Sequence, residues 1–346
     1  MAQFRVGIIG CGRPWKSPGA SGFGMSNFHA HGYTTSPDAT IVALADINLD
    51  NARAFQAAHG GERIYTDYHE MLAREQLDIV SICTWPHLHA PMVIAAAEAG
   101  VKAIHCEKPM APSYAEALQM VAICQANGAQ LTFNHQRRFG AHFRMARDIL
   151  RSGSIGQLQR LEGMCMNLFD WGTHWFDMFG FYNDEAAARW VIGQVDWRDG
   201  ATIFGITVEG QGISLFSYEN GVQGLLITGY GTERKMSNRL VGSDGVIEVS
   251  LGTTSIRVRG KGDADWRDVQ VTQEAQENLS EGEGLGVLDL IDALKTCREP
   301  ELSGRRALRA TELIFATYES ARRGGRIELP LEALQSPFPG VAPSMT

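Results

Sequence analysis

The sequence lacks long apolar runs, paired cysteines and an excess of positive charge. No uninterrupted apolar stretch in its 346 residues approaches the roughly 18 to 20 that cross a bilayer, so we expect no membrane partner. The six cysteines are scattered without a C-x-x-C pair, which is typical of free thiols in a reducing compartment. Acidic residues outnumber basic ones by 39 to 31, giving a net charge of -8, so we expect no nucleic-acid partner.

A secretory signal and a set of metal ligands are also missing. Residues 1–10 lead directly into an apolar run without the regions of a signal peptide, so we expect a cytoplasmic protein. The pairs His87 with His89 and His105 with Cys106 come nearest to a metal motif, but no tetrahedral set of familiar spacing forms. We therefore predict no metal site.

The first half of the chain alternates β-rich apolar runs with helical patterns. The predicted helices are 49–59, 89–100 and 114–127, and the last two end at glycines. The predicted strands are 4–10, 40–45, 77–84, 101–106 and 130–133. Continuous apolar strands separated by helices predict a parallel sheet buried on both faces, which is a doubly wound α/β domain.

After about residue 155, β-rich runs separated by turn signals take over. Predicted strands cover 203–209, 213–218, 222–229, 246–250 and 255–259, and helical spacing returns at 285–297 and 305–323. Asn220-Gly221 and Asp244-Gly245 are hairpin signals, so the sheet is expected to be mainly antiparallel. We predict two domains, residues 1–134 and residues 135–346, the second an α+β domain with C-terminal helices.

A glycine-rich turn with unusual spacing follows the first predicted strand. Gly10 and Gly12 match the start of G-x-G-x-x-G, whereas the third position holds Trp15. If residues 13–23 are an inserted loop, Gly24 takes the third place and the next helix presents its N-terminal amides to a phosphate. Glycine at such a turn also has a purely steric explanation. We predict an interrupted dinucleotide-binding turn, whose loop covers the pyrophosphate or forms the rim of the substrate cleft.

Asp46 stands at the carboxyl end of the next predicted strand. A carboxylate there accepts hydrogen bonds from the adenosine ribose hydroxyls and repels a 2′-phosphate, which favours NAD over NADP. An aspartate also suits a helix cap for the segment that follows. Residue type does not separate these two roles, and NAD is the expected cofactor.

Four short motifs together resemble those of one enzyme family. They are Gly10-Cys11-Gly12, TWPHLH at 84–89, Glu107-Lys108-Pro109 and DWGTHWFD at 170–177. In their order and spacing, over nearly the whole chain, the sequence resembles the glucose-fructose oxidoreductase/inositol dehydrogenase family, also called Gfo/Idh/MocA. The resemblance implies an N-terminal Rossmann domain and a C-terminal domain whose open sheet is often used for oligomerisation. It also implies hydride transfer between a nicotinamide and a secondary alcohol of a sugar or cyclitol.

The resemblance assigns roles to individual residues. The family's catalytic lysine, aspartate and histidine fall on Lys108, Asp170 and His174, and the Lys108-Pro109 bond is expected to be cis. The implied cofactor-binding residues are Gly10, Gly12, Arg13, Gly24, Asp46, Thr84, Trp85, Pro86, His89, Glu107 and Lys108. The implied substrate-binding residues are Lys108, Arg138, Asp170, Trp171, His174 and Trp175. The chain departs from the family in the longer loop at 13–23 and in a shorter segment between the strand near Leu158 and Asp170.

These residue types suit the chemistry of alcohol oxidation. The reaction needs a base within hydrogen-bond reach of the hydroxyl, and the imidazole of His174 exchanges protons near neutrality. If residues 170–179 are helical, Asp170 shares a face with His174 and either orients its ring or binds a neighbouring hydroxyl. The Lys108 ammonium, at the carboxyl end of a parallel strand, would stabilise negative charge on the reacting oxygen.

The aromatic residues and one arginine leave two explanations open. Trp85, Trp171 and Trp175 suit stacking on a sugar ring and equally suit core packing. Arg138 would either contact substrate hydroxyls or tie the domains together, and the second is slightly favoured.

The leading hypothesis is an NAD-dependent dehydrogenase that acts on a sugar, a sugar derivative or a cyclitol. One alternative is a glycoside-cleaving enzyme that oxidises and re-reduces its substrate on a retained NAD. Another is a non-catalytic, NAD-sensing regulator, which would not need Lys108, Asp170 and His174. We also expect a homo-oligomer, a dimer or tetramer, because an open antiparallel sheet normally needs its exposed face covered.

Overall fold

The computed structural model describes residues 3–20, 22–229, 237–251, 255–271, 282–332 and 337–338. The chain divides into two compact units. The first comprises Met1–Ala111, Glu116–Gln136 and Glu281–Ala307, and the second comprises Pro112–Ala115, Arg137–Ser280 and Leu308–Thr346. The domain boundary between residues 134 and 135 stays a prediction.

The first unit is built around a six-stranded parallel sheet. Its strands are β1 (Phe4–Ile9), β2 (Ala39–Ala45), β3 (Arg63–Tyr65), β4 (Ile79–Ile82), β5 (Ala103–Cys106) and β6 (Gln130–Phe133). They lie in the order β3-β2-β1-β4-β5-β6, and each neighbouring pair is parallel. All residues of β4 and β5 are buried, as in a sheet covered on both faces. The predicted doubly wound sheet is confirmed.

Helices connect these strands. They are α1 (Ser26–Thr35), α2 (Leu49–His59), α3 (Tyr68–Arg74), α4 (Pro86–Glu98) and α5 (Tyr114–Ala126). Helix α4 begins before the predicted residue 89 because Pro86 fits the first helical turn, where no backbone N–H is needed. A later helix of this unit, α8 (Gly282–Thr296), packs on α1. The approach is close at Gly32, where a Cβ would lie 2.7 Å from the carbonyl oxygen of Gly284.

The second unit contains a nine-stranded sheet. Its strands are β7 (Leu158–Cys165), β8 (Ala188–Asp196), β11 (Gln211–Tyr218), β12 (Gln223–Thr228), β13 (Ser237–Gly242), β14 (Gly245–Ser250), β15 (Ser255–Gly260), β16 (Arg267–Gln270) and β17 (Ile327–Glu328). They lie in the order β16-β15-β14-β13-β7-β12-β11-β8-β17, and only β12 and β7 pair in parallel. Both predicted hairpins form, because β11 pairs with β12 and β13 with β14. The mainly antiparallel sheet is therefore confirmed.

The predicted strand at 203–209 is wrong. Two short strands, β9 (Thr202–Ile203) and β10 (Ile206–Thr207), pair with each other as a separate ladder. Phe204 (φ +51°) and Gly205 (φ +78°) turn the chain between them. The apolar run concealed this turn, since a phenylalanine rarely adopts positive φ.

The described residues of the second unit contain helices that the sequence predicted and helices that it did not. They are α6 (Ala141–Arg151), α7 (Gly172–Tyr182) and α9 (Gly304–Arg323), the last beginning in residues assigned to the first unit. Helix α7 packs against β7 and β12, and at Gly163 of β7 a Cβ would lie 2.4 Å from the Trp175 ring. Within the described part of the chain, no helix combines the length and apolar character needed to span a bilayer.

Candidate active site

The glycine turn after β1 has the backbone geometry of an interrupted dinucleotide motif. Gly10, Gly12 and Gly24 have φ values of +84°, +57° and +67°. A Cβ on Gly10 would lie 2.9 Å from both the Cys83 carbonyl oxygen and the Thr84 side chain, whereas a Cβ on Gly12 would meet nothing closer than 4.0 Å. The first glycine is thus needed for packing, and the second keeps the loop surface open for a ligand.

The two ends of the inserted loop meet. A Cβ on Gly24 would lie 2.3 Å from the carbonyl oxygen of Arg13, so residues 14–23 form an excursion that closes just before α1. Exposed aromatic side chains stand near its two ends: Trp15 is 59% and Phe23 50% accessible, with ring centroids 5.7 Å apart. The Lys16 ammonium lies 4.1 Å above the Trp15 ring. Gly24 therefore occupies the third glycine position despite the insertion.

Asp46 borders this turn at the end of β2. Its Oδ2 accepts a hydrogen bond from the Gly12 amide (3.0 Å), and its Oδ1 accepts one from the Asn48 amide (2.8 Å). The cap of α2 is Asn48, whose side chain accepts from the Asp50 amide. The capping role that the sequence left open for Asp46 is thus filled by Asn48, and Asp46 faces the glycine turn.

A buried polar cluster lies where β5 ends. The Glu107 carboxylate accepts hydrogen bonds from Asn134 Nδ2 (2.7 Å) and the Lys108 amide (3.2 Å), and pairs with His29 Nε2 at 3.0 Å. Burial alone would raise the pKa of Glu107, but the hydrogen bonds and charges of these neighbours outweigh it and lower that pKa. The Lys108-Pro109 bond is cis, as expected. An ionised carboxylate therefore fixes the backbone that carries Lys108.

His89 joins two loops of the same sheet edge. Its Nε2 lies 3.0 Å from the Thr84 carbonyl oxygen, and its Nδ1 lies 2.9 Å from that of Pro109. Burial lowers the pKa of His89. Because Thr84 also packs against Gly10, contacts run continuously from the glycine turn to Lys108-Pro109. The structure gives His89 this bridging role, and its direct contact with a cofactor stays a prediction.

The remaining cofactor candidates lie around these loops. Arg13 donates through Nε to Asn51 Oδ1 of α2 at 2.8 Å and through Nη1 to the Pro18 carbonyl oxygen at 3.3 Å, so its side chain links the inserted loop to α2. Trp85 precedes α4 and is 41% accessible, and Pro86 begins that helix. Among the described residues, no group of three or more His, Cys, Asp or Glu side chains is arranged to hold a metal ion.

In the second unit, a capped turn carries Asp170. Asn167 Oδ1 accepts hydrogen bonds from the Asp170 amide (2.7 Å) and the Trp171 amide (3.3 Å). Helix α7 begins only at Gly172, so the expectation of a helix from residue 170 is wrong. The cause is Asn167, whose side chain takes the amides that would otherwise extend the helix backwards. Asp170 and His174 are both buried, but helical i,i+4 spacing does not relate them.

Glu209 supports this turn from the sheet. Its Oε1 accepts hydrogen bonds from the Leu168 amide (2.5 Å) and the Thr228 hydroxyl (3.1 Å), and its Oε2 accepts one from the Tyr318 hydroxyl (2.6 Å). Burial raises the pKa of Glu209, and these hydrogen bonds only partly offset it. Sequence reasoning missed both Asn167 and Glu209, although an asparagine three residues before Asp170 is a recognisable turn signal.

Two consecutive arginines have different surroundings. Arg138 is buried and pairs with Asp177 (Nε to Oδ2, 2.8 Å) and with Glu185 (2.5 Å). Arg137 is also buried, but its guanidinium lies over the rings of Trp175 (4.0 Å) and Trp171 (5.2 Å). The substrate contact of Arg138 stays a prediction. The buried position of Arg137 was not predicted, because the sequence does not distinguish two adjacent arginines.

Trp175 has the core-packing role that the sequence left open for it, and its stacking on a sugar ring stays a prediction. It is 1% accessible and donates through Nε1 to the Ser237 carbonyl oxygen at 3.0 Å, so it is part of the core. One face of its ring nevertheless supports the Arg137 guanidinium.

A parallel six-stranded sheet with this glycine turn after β1 and a carboxylate after β2 defines a Rossmann-type dinucleotide-binding protein. Residues 4–135 match the model of an oxidoreductase family with an NAD-binding Rossmann fold, GFO_IDH_MocA. The resemblance to the Gfo/Idh/MocA family of NAD-binding oxidoreductases is thereby confirmed over these residues.

Individual relatives agree with this assignment. D-apiose dehydrogenase of Paraburkholderia graminis is 29% identical over 98% of this chain and 92% of its own. Myo-inositol 2-dehydrogenase of Thermotoga maritima is 29% identical over 44% of this chain and 42% of its own. A levoglucosan dehydrogenase solved with NADH and levoglucosan matches with a TM-score of 0.80 at 20% identity, covering 95% of this chain and 100% of that one. At that identity, the last comparison bears on the fold alone.

Proposed function

We propose that the protein oxidises or reduces a secondary alcohol of a sugar, sugar derivative or cyclitol with NAD. The observation that carries the proposal is the run of contacts from Gly10 through Thr84 and His89 to Pro109, which joins the glycine turn to Lys108 at one edge of the sheet. Ligands of open α/β sheets bind at this edge. The near full-length similarity to a D-apiose dehydrogenase supports a carbohydrate as substrate.

The residues at this edge fit a dinucleotide. The open backbone at Gly12 and the amides that follow Gly24 would hold the pyrophosphate, and Asp46 would hold the adenosine ribose and disfavour NADP. Bound NAD supplies the hydride acceptor for alcohol oxidation. Thr84, Trp85 and Pro86 would lie along the nicotinamide side.

Each catalytic residue has a defined task in this proposal. The Lys108 ammonium, on a backbone fixed by Glu107, donates a hydrogen bond to the reacting oxygen and stabilises its negative charge. His174 takes the hydroxyl proton, and Asp170, on its capped turn, binds a neighbouring substrate hydroxyl or orients the imidazole.

The test is a panel of aldoses, ketoses, glycosides and cyclitols scored for NADH formation by absorbance, with NADP alongside. We expect at least one carbohydrate to reduce NAD, and NADP to be used at least about tenfold less efficiently because of Asp46. NAD binding without turnover of any panel member, in either direction, would contradict the proposal.

A second function is favoured by the exposed aromatic loop beside the glycine turn. A loop that retains NAD suits a glycoside-cleaving enzyme, in which oxidation and re-reduction leave no net NADH. Such an enzyme would release sugar from a glycoside with catalytic NAD, and it would show no dehydrogenase activity in the panel.

We further propose a cytoplasmic homo-oligomer, a dimer or tetramer, that associates through the outer face of the nine-stranded sheet. Neighbouring strands place apolar side chains opposite one another on that face: Ile213 opposite Ile227, and Leu215 opposite Leu225 and Ile192. Ile192 and Ile213 are 44% and 42% accessible. Light scattering tests this, and an Ile213→Asp variant should shift the mass towards the monomer.

A further inference from the structure

Arg137 is a buried cation whose charge lacks an ion-pair partner among the described residues. Its side chain is 9% accessible, and its Nη1 is buried without a hydrogen-bond partner in that part of the chain. Asp170 is near enough to favour the charged form, but burial prevails and lowers the pKa of Arg137 to about 9. Buried charges are normally paired, because removing them from water is costly. The adjacent Arg138, with two carboxylates, shows how the same unit satisfies a structural arginine.

The surroundings of Arg137 hold it in place and leave Nη1 without a hydrogen-bond partner among the described residues. The guanidinium lies over Trp175 and Trp171, so its flat face is used for packing. The N–H groups of a guanidinium point outwards in its plane, where they match the two oxygens of a carboxylate. A pre-positioned fork beside the half-buried Trp171 ring is suited to a carboxylate attached to a sugar, since sugar C–H faces stack on aromatic rings.

His142 adds a second unpartnered polar group in this region. It is 4% accessible, and both of its ring nitrogens are buried without a hydrogen-bond partner among the described residues. Burial and the charge of Arg137 lower the pKa of His142 to about 4, so it is neutral at pH 7. A neutral imidazole has one donor and one acceptor for a ligand oxygen. Arg137 Nη1 and the two ring nitrogens of His142 thus place unpaired polar atoms in one region, where a ligand oxygen could pair with them.

We propose that Arg137 binds a carboxylate of the substrate, so that the preferred substrate is a sugar acid rather than a neutral sugar. Asp170 lies near Arg137, which places this anchor beside a candidate catalytic group. The proposal rests on the dehydrogenase function proposed above and specifies its substrate class.

The experiment compares matched pairs of ligands on the full chain loaded with NAD: D-glucuronate with D-glucose, D-galacturonate with D-galactose, and D-gluconate with D-glucitol. Binding is measured by calorimetry and turnover by NADH formation, in the wild type, Arg137→Gln, Arg137→Lys and Arg151→Gln. Arg151 is the control because its side chain is 51% accessible and pairs with Asp184 at the surface. Circular dichroism checks that each variant folds.

We expect the wild type and Arg151→Gln to bind at least one acid about tenfold or more tightly than its neutral partner. Arg137→Gln should weaken binding of the acid about 100-fold and of the neutral sugar less than about fivefold. Arg137→Lys keeps the charge but lacks the planar guanidinium, so its affinity for the acid should be at least about fivefold lower than that of the wild type. This variant provides the test if Arg137→Gln does not fold.

Preference of the wild type for every neutral member, or equal losses for both members in Arg137→Gln, overturns the carboxylate subsite. Failure of the dehydrogenase function is distinguishable from this. An acid that binds through Arg137 without forming NADH supports the subsite and contradicts the dehydrogenase. NADH formed from neutral sugars at an unchanged rate in Arg137→Gln supports the dehydrogenase and contradicts the subsite.

Discussion

Each unit of the molecule uses one buried glutamate to fix a turn that carries a candidate catalytic residue, but the two glutamates are held differently. In the first unit, Glu107 accepts from the Lys108 amide and pairs with His29. In the second, Glu209 accepts from the Leu168 amide, two residues before Asp170, and its other donors are hydroxyls. The same desolvation acts on both, yet the pKa of Glu107 is lowered and that of Glu209 is raised. Pairing with ionisable neighbours, rather than burial, decides the direction.

The difference has a functional consequence. The lowered pKa of Glu107 keeps a negative charge at the carboxylate that accepts from the Lys108 backbone amide. Glu209 is held by hydroxyl and amide donors, which only partly offset the effect of burial on its pKa. The comparison therefore separates a glutamate held by an ionisable neighbour in one unit from a glutamate held by neutral donors in the other.

The largest effect is expected at the residue that Glu107 supports. Lys108→Ala should lower kcat by about 10²- to 10⁴-fold while NAD still binds, because the reacting oxygen loses its charged donor. Stopped-flow and steady-state kinetics with the best panel substrate measure the loss. The control is Lys102→Ala, since that ammonium is 63% accessible and pairs with Asp78. Turnover within about twofold of the wild type in Lys108→Ala would remove this residue from the mechanism.

Exchanging each glutamate for glutamine tests the comparison itself. Glu107→Gln should destabilise the protein by about 3 kcal/mol or more, because it breaks a buried pair and presents an amide donor to existing donors. Glu209→Gln should cost only about 1 kcal/mol, because a hydroxyl such as that of Tyr318 can reverse its hydrogen bond. Urea unfolding gives both values. Equal losses of unfolding free energy in the two variants would contradict the difference in how the two glutamates are held.

The pH dependence of these two variants should run in opposite directions. The lowered pKa of Glu107 means that its contribution to stability is present above the ordinary value of 4.5 and is lost as pH falls through the lowered pKa. The raised pKa of Glu209 means that its contribution is full below 4.5 and is lost as pH rises through the raised pKa.

Urea midpoints measured between about pH 4 and about pH 8 test these signs. Relative to Glu209→Gln, the wild type should gain stability as pH falls towards 4.5. Relative to Glu107→Gln, the wild type should lose stability as the pH falls below 4.5. Parallel pH profiles for the two variants would contradict the assignment of opposite shifts.

The sequence determined the first unit better than the second. Its strands are continuous runs of β-branched residues, and its helix α2 has the predicted bounds 49–59 because a polar cap and a glycine enclose it. In the second unit, β8 and β13 were missed, since polar residues and glycines interrupt their apolar pattern. Helices α3 and α6 were also missed: α3 has only seven residues, although Asp67 caps it, and α6 has no capping side chain at its first residue.

The candidate site was predictable in its motifs but not in its contacts. The glycines, Asp46 and the Lys108-Pro109 turn follow from spacing along single strands. The roles of Arg137 and Arg138 do not, because they depend on whether Asp177 and Glu185, 39 and 47 residues further along the chain from Arg138, approach one guanidinium or the other. The tertiary structure therefore determines which of the two arginines pairs with these carboxylates.

The smallest effect is expected from the inserted loop after β1, which carries exposed aromatic side chains. Because Arg13 and Gly24 already meet, deletion of residues 14–22 should leave the fold intact and weaken NAD binding by about tenfold, through loss of the cover over the pyrophosphate. Fluorescence titration with NAD measures this, and Ile47→Ala, at a 94% accessible position, is the control. Trp15→Ala should reproduce part of the loss of NAD affinity if the Trp15 side chain covers the pyrophosphate. A deletion variant with unchanged NAD affinity and unchanged substrate KM would show that the loop serves neither ligand, and that the supported turns alone account for binding in this unit.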